Sequence, residues 1–243
     1  MILLRAVLFN IAFFGLTALV SLGALPLLAA PRQGIMAVAR FWARASVTLL
    51  RVIVGVRVEL HGMERIPPGP VVIAAKHQSA FDTIVWLTLL PDTAYVLKKE
   101  LLSIPFYGWH LRKSGMIPVD RAGGGGALRS MLRSAQAALA EGRQVVIFPE
   151  GTRTAPGQRV PYQPGVVAIA GLGLAPVIPV ATDSGRVWAR RALLKRPGVI
   201  RISVLPPLPP GLPRAKLLAE LEAAIETETD RLLRGDVVDK SVG

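Results

Sequence analysis

Gln144-Val145-Val146-Ile147-Phe148-Pro149-Glu150-Gly151-Thr152-Arg153 is a short run of β-branched residues that breaks into a Pro/Gly turn. An apolar run of this length, bounded by turn formers, reads as a buried strand and is too short for a helix. Working outward, the same pattern recurs at Val56–Leu60, Val71–Ala75, Ala94–Leu97, Met116–Val119, Pro176–Val180 and Val199–Leu205. Helical stretches fall between or after them at Phe81–Leu90, Ala127–Glu141, Gly165–Gly171 and Lys216–Leu233. Such alternation predicts an α/β domain with a mostly parallel or mixed sheet flanked by helices. Gly123–Gly126 fits neither a Walker loop nor a dinucleotide fingerprint and reads as a flexible connector.

The chain has 243 residues, 51% of them hydrophobic, and a formal charge of +13. That much apolar material excludes a disordered chain and suffices for one ordinary core. The absence of cysteine removes disulfides, thiolate metal sites and thiol catalysis, and three histidines leave little for a metal cluster; no metal is expected. A hydrophobic yet strongly cationic chain calls for anionic surroundings.

The front of the chain says which. No charged residue lies between Arg5 and Arg32, a run of 26 positions and long enough to cross a bilayer. A true span and a re-entrant or interfacial anchor both fit, with Pro26 able to kink either; a signal peptide is the competing reading. Residues 34–54 follow with Arg40, Arg44 and Arg51 at helical spacing, against Ile35, Val38, Trp42, Leu49 and Val52. Such a helix either lies among anionic lipid headgroups or packs on the domain with solvated arginines. Six arginines and no acidic residue precede Glu59, which puts the downstream chain on the cytoplasmic side of the inner membrane. Anionic membrane lipid is therefore the expected partner, and nucleic acid is not. Residues 1–54 form the anchor and basic helix, and 55–243 the α/β domain.

Chemistry collects where strands end. Lys76-His77-Gln78-Ser79-Ala80-Phe81-Asp82 follows the strand at Val71–Ala75. An aspartate accepting from one imidazole nitrogen fixes the tautomer and makes the other nitrogen a better base for an alcohol proton. The same residues also fit a capping box, with Ser79 as the cap and Asp82 three residues in. In the Phe148–Arg153 loop, Thr152 and backbone N–H groups are donors and Arg153 has a fork suited to phosphate. The structural alternative is a local Glu150–Arg153 ion pair. Asp120-Arg121 enters the glycine segment, Lys98 and Lys99 follow another strand, and Val177–Val180 alone reads as core. Arg186, Arg190, Arg191, Lys195, Arg196 and Arg201 surround Trp188 as a second lipid-facing patch, a landing site for an acidic carrier protein, or a solvated surface.

Four segments in order, His77–Asp82, Gly115–Arg121, Phe148–Arg153 and Val177–Val180, resemble the blocks of the glycerolipid acyltransferase family, specifically its bacterial 1-acylglycerol-3-phosphate acyltransferases. The resemblance runs from about Val56 to Thr182. It implies transfer of an acyl group from acyl-CoA or acyl-carrier protein to the 2-hydroxyl of lysophosphatidic acid, with no cofactor beyond that donor. On it, His77 and Asp82 are catalytic, Arg153 and Arg121 with Lys98 behind them hold the acceptor phosphate, and Glu150, Gly151 and Thr152 shape the pocket. No acyl-enzyme is implied, so Ser79 is not a nucleophile. Lys76 stands where the family commonly has Asn, a departure that bears on histidine positioning and acceptor preference. An enzyme for lyso-ornithine lipid or lysophosphatidylglycerol would carry the same residues. A membrane-binding module with inert motifs would too, and acyl transfer that depends on His77 separates it from the rest.

Overall fold

A computed structural model describes residues 1–120 and 123–235. The uncharged run becomes helix α1 (Ile2–Gly23), stopped by a 3-10 turn at Leu25–Ala29 in which Pro26 supplies no N–H. Only Ala6 and Phe9 of α1 are buried; Leu3, Leu4, Ile11, Phe14 and Leu19 are among its exposed side chains. The helix has the length and apolarity to enter a membrane. Phe9 meets the Trp188 ring edge-on at 5.4 Å, so α1 is also packed on the rest of the fold.

Helix α2 (Arg32–Leu49) buries Ile35, Met36, Ala43 and Ser46 and continues into a π turn at Leu50–Val54. Gly55, with φ at 85°, turns the chain into the sheet. Of the arginines expected among headgroups, Arg40 instead donates to the Pro91 carbonyl at 2.6 Å, while Arg44 and Arg51 are exposed. Arg32 grips Asp92 through two hydrogen bonds of 2.7 and 2.8 Å. The packed-helix alternative thus describes one face of α2.

Seven strands form one sheet: β1 (Val56–His61), β2 (Val71–Ala75), β3 (Thr93–Lys98), β4 (Ile117–Val119), β5 (Gln144–Ile147), β6 (Val177–Thr182) and β7 (Gly198–Val204). Their order is β1-β7-β6-β2-β5-β3-β4, parallel throughout except where β7 meets β6. Every expected strand is present, with ends shifted by one or two residues. Between them lie α3 (Asp82–Leu89), α4 (Tyr107–Lys113), α5 (Gly124–Ala140) and α6 (Gly165–Ala170), and α7 (Arg214–Arg234) follows β7. Alternation along central β2 divides the core: Val71, Ile73 and Ala75 face the side shared with α1–α3, while Val72 and Ala74 face α5–α7.

One expectation changes, and one helix was not foreseen. Gly124, Gly125 and Gly126 are the first turn of α5, not a flexible connector. The first N–H groups of a helix lack internal partners whatever residue carries them, so glycine costs less there than mid-helix, and the Ala127–Ala140 stretch propagates back. Helix α4 carries no signal strong enough to be read in advance; it is short and begins beside Phe106, whose φ of 60° is unusual for a bulky residue.

Buried Arg143 ties the β3–β5 edge together, donating to Asp92 and to the carbonyls of Thr93, Ser114 and Gly115. Arg143→Met strands those acceptors and is expected to cost about 3 kcal/mol by chemical denaturation. A loss within experimental error would show that water replaces the guanidinium.

Candidate active site

Because β2, β3, β4 and β5 are mutually parallel, their C-terminal ends share one sheet edge. That edge receives Lys76-His77 from β2, Lys98 from β3, Asp120 from β4 and Phe148–Arg153 from β5. Extending the β2–β5 register beyond Ala74↔Ile147 brings His77 level with Glu150. There the His77 N–H donates to Glu150 Oε2 at 2.7 Å, and the His77 carbonyl accepts the Thr154 N–H at 2.9 Å. The β5 loop therefore holds the histidine backbone on both sides, and Gly151, at φ 67°, makes the turn that allows it.

His77 Nδ1 lies 3.1 Å from Asp82 Oδ2. That same oxygen accepts the N–H of Gln78 at 2.7 Å and of Ser79 at 2.8 Å. Asp82 opens α3, where the helix dipole favours a negative charge. An ionised Asp82 assigns the proton of a neutral His77 to Nδ1 and leaves Nε2 as the basic nitrogen. The ring stacks on Phe148 with centroids 4.0 Å apart and lines a cavity. Ser79 is fully buried and its Oγ accepts the Phe81 N–H, the work of a turn residue. One Asp82 oxygen thus serves both the ring and the turn, but the capping box with Ser79 as the cap does not form: α3 starts at Asp82 after Phe81, with no side-chain cap bond.

Behind the histidine sits Lys76, 1% exposed. Its ammonium lies 2.8 Å from Glu150 Oε1 and donates to Glu226 Oε1 on α7 at 2.6 Å. Tyr162 donates to the same Glu226 oxygen at 2.9 Å, and Thr154 to Glu150 Oε1 at 2.8 Å. Glu150 thus pairs with Lys76, not with Arg153 as the local ion pair would require. Burial pushes the Glu150 carboxyl up; Lys76, the His77 N–H and Thr154 each pull the other way. Glu226 was missed by sequence reasoning, since an acid on an amphipathic helix reads as solvent-facing.

The cavity has a volume of about 1080 Å³. One part is walled by Val20, Ala24, Ile35, Val38 and Trp42 from α1, α2 and the turn joining them; the other reaches His77, Lys98, Gly151, Thr152 and Arg153. Arg153 has no carboxylate within 4 Å among the described residues. Burial pulls its guanidinium down; Asp82 opposes that and Arg190 reinforces it. Arg121 lies outside the described residues. Among those described, no cluster of three His, Asp or Glu is placed to hold a metal ion.

Residues 57–183 match the acyltransferase family. The chain is 36% identical to a 1-acyl-sn-glycerol-3-phosphate acyltransferase of Pseudomonas aeruginosa over 185 residues, 76% of this chain and 72% of that one. It is 31% identical to the alpha 1-acyl-sn-glycerol-3-phosphate acyltransferase of Mus musculus over 202 residues, 78% of this chain and 71% of that one. The crystal structure of the 1-acyl-sn-glycerophosphate (LPA) acyltransferase PlsC from Thermotoga maritima has the same fold, with a TM-score of 0.78 at 22% identity, covering 99% of this chain and 100% of that one.

Lys76→Met leaves Glu150 and Glu226 buried without their ammonium and is expected to cost about 3–5 kcal/mol. Glu150 already titrates above its ordinary range, so the folded state holds a proton that the unfolded state releases at the same pH. Stability in that window falls as pH rises, and losing Lys76 widens the window upward. Denaturation of Lys76→Met at several pH values should therefore show stability recovering toward mildly acidic pH more than in the parent. A pH-independent deficit would mean that Glu150 does not feel Lys76.

Proposed function

The chain belongs to the acyltransferase family, and we propose that it esterifies the 2-hydroxyl of lysophosphatidic acid with an acyl group from a thioester, giving phosphatidic acid. The observation that carries this is the His77–Asp82 pair in a cavity apolar toward α1 and α2 and cationic at Arg153. The relatives of known activity are named for the same reaction.

His77 Nε2 takes the proton of the acceptor hydroxyl as its oxygen attacks the thioester carbonyl carbon. The resulting imidazolium is stabilised by Asp82, whose position the Gln78 and Ser79 N–H groups maintain. Collapse of the tetrahedral intermediate breaks the C–S bond, and the imidazolium returns its proton to the departing thiolate. Acyl-CoA and acyl-carrier protein present the same thioester, and both serve as donors in the test. Arg153, with Lys98 on the same cavity wall, holds the acceptor phosphate. The apolar arm takes an acyl chain.

The length and apolarity of α1 support a place at a membrane, where acceptor and product both reside. Positive charge after the apolar run orients the domain toward the cytoplasmic face of the inner membrane. Anionic lipid is its surface partner.

Purified protein in detergent, given labelled acyl-CoA or acyl-carrier protein and lysophosphatidic acid, should form phosphatidic acid. His77→Ala should lose about 10²–10⁴-fold in kcat while remaining folded. Product from lyso-ornithine lipid or lysophosphatidylglycerol alone would replace the acceptor and keep the mechanism. No product from any acceptor, or full activity in His77→Ala, would refute the reading.

A further inference from the structure

Between β6 and β7 the chain makes a compact loop whose ends meet: the Arg196 N–H donates to the Val187 carbonyl at 3.0 Å. Sequence alone leaves its arginines undecided between lipid, carrier protein and solvent. The structure shows that the loop is fastened, not floppy. Lys195, 3% exposed, sends its ammonium inward to Asn10 Oδ1 of α1 and to the carbonyls of Ala192 and Leu193. The Asn10 amide donates back to the Leu193 carbonyl at 2.9 Å. The same ammonium lies 4.9 Å over Trp188 and 5.6 Å over Phe9. Arg191 holds a left-handed backbone, φ 56°, which costs a residue with a Cβ about 1–2 kcal/mol and persists where surroundings impose it.

This fastening brings Arg190, with Arg191 beside it, to the cavity that His77 and Arg153 line. Arg190 is close enough to act on the Arg153 guanidinium, and neither has a carboxylate within 4 Å among the described residues. Arg153 and Arg190 repel each other across the cavity, which Lys98 and Arg191 also line, until an anion lies between them. A phosphomonoester carries about −1.5 to −2 charges near neutral pH and balances both, whereas a phosphodiester carries a single charge. We infer that Arg190 is a further cation of the anion site of Arg153 and Lys98, selecting a phosphomonoester headgroup and held in place by the Lys195–Asn10 clamp on α1. This rests on the acceptor reading above for its ligand, and on the cavity for its place.

Two measurements on the full-length protein test it separately from that reading. In the first, arginines are modified with a dicarbonyl reagent with and without glycerol 3-phosphate as probe, and each site is quantified by mass spectrometry. Arg153 and Arg190 should be protected together and Arg196, exposed and outside the cavity lining, should not. In the second, Arg190→Met should raise the acceptor KM for lysophosphatidic acid about tenfold, shift kcat little, and weaken use of lysophosphatidylglycerol much less. Arg190→Lys should recover part of the loss, and Arg196→Met should leave KM unchanged. Unprotected Arg190 overturns the inference. So does a KM rise equal for the two headgroups, or equal to that of Arg196→Met. Protection of Arg190 in a protein that does not acylate lysophosphatidic acid would overturn the acceptor and uphold the anion site.

Discussion

The Lys76 ammonium, closed between Glu150 and Glu226, is the interaction on which the site is built. It joins three parts of the chain that have no local reason to meet: the end of β2, the loop after β5, and α7. Removing an ammonium and two carboxylates from water is costly. Their mutual attraction compensates only with good geometry and filled hydrogen-bonding positions. Those conditions hold here, since Glu150 receives Lys76, Thr154 and the His77 N–H, and Glu226 receives Lys76 and Tyr162. A hydrophobic substitute could fill the space but could not accept the His77 N–H. The network is thus better understood as a positioning device for the histidine than as a source of stability.

From that anchor the geometry follows by register. Parallel pairing of β2 and β5 sets His77 beside Glu150, and one carboxylate of each loop then binds backbone of the histidine segment: Glu150 at His77, Asp82 at Gln78 and Ser79. The imidazole needs only one more contact to be oriented, and Asp82 supplies it with the oxygen that caps the turn. Coupling the catalytic orientation to a backbone cap is economical in residues. It also makes Asp82 hard to replace without disturbing the start of α3, so kinetic effects there carry a structural share.

The strands were legible because seven short β-branched runs stand between turn formers, and the sheet's central part is parallel because helices separate them. His77 and Asp82 were legible because their spacing crosses a strand-to-helix turn, and Arg153 because it ends the Pro/Gly loop. What escaped depended on partners remote in sequence. Lys76 looks like a surface lysine until Glu226, 150 residues away, is brought to it. Glu226 looks solvated because Glu222 and Asp230, one turn either side, share its helix face. Arg190 sits among several similar arginines, and only the fold shows that it and Arg191 line the cavity. Arg40 had the spacing of a lipid-facing residue, yet a carbonyl at Pro91 claims it, since amphipathic spacing does not say what lies opposite the face.

The position of α1 follows from the same reasoning about where charge and apolar surface go. A lysolipid is apolar along its chain and anionic at its head, and the cavity lining offers both kinds of surface, Val20 and Ile35 among its apolar residues and Arg153 among its cationic ones. α1 contributes to both. Near its C-terminus it supplies apolar lining, and through Asn10 it fixes the loop carrying Arg190. A helix that only tethered the domain would need neither contact. Its mostly exposed apolar surface and its attachments to the fold make one helix both apolar enough for a membrane and part of the wall of the cavity that His77 lines.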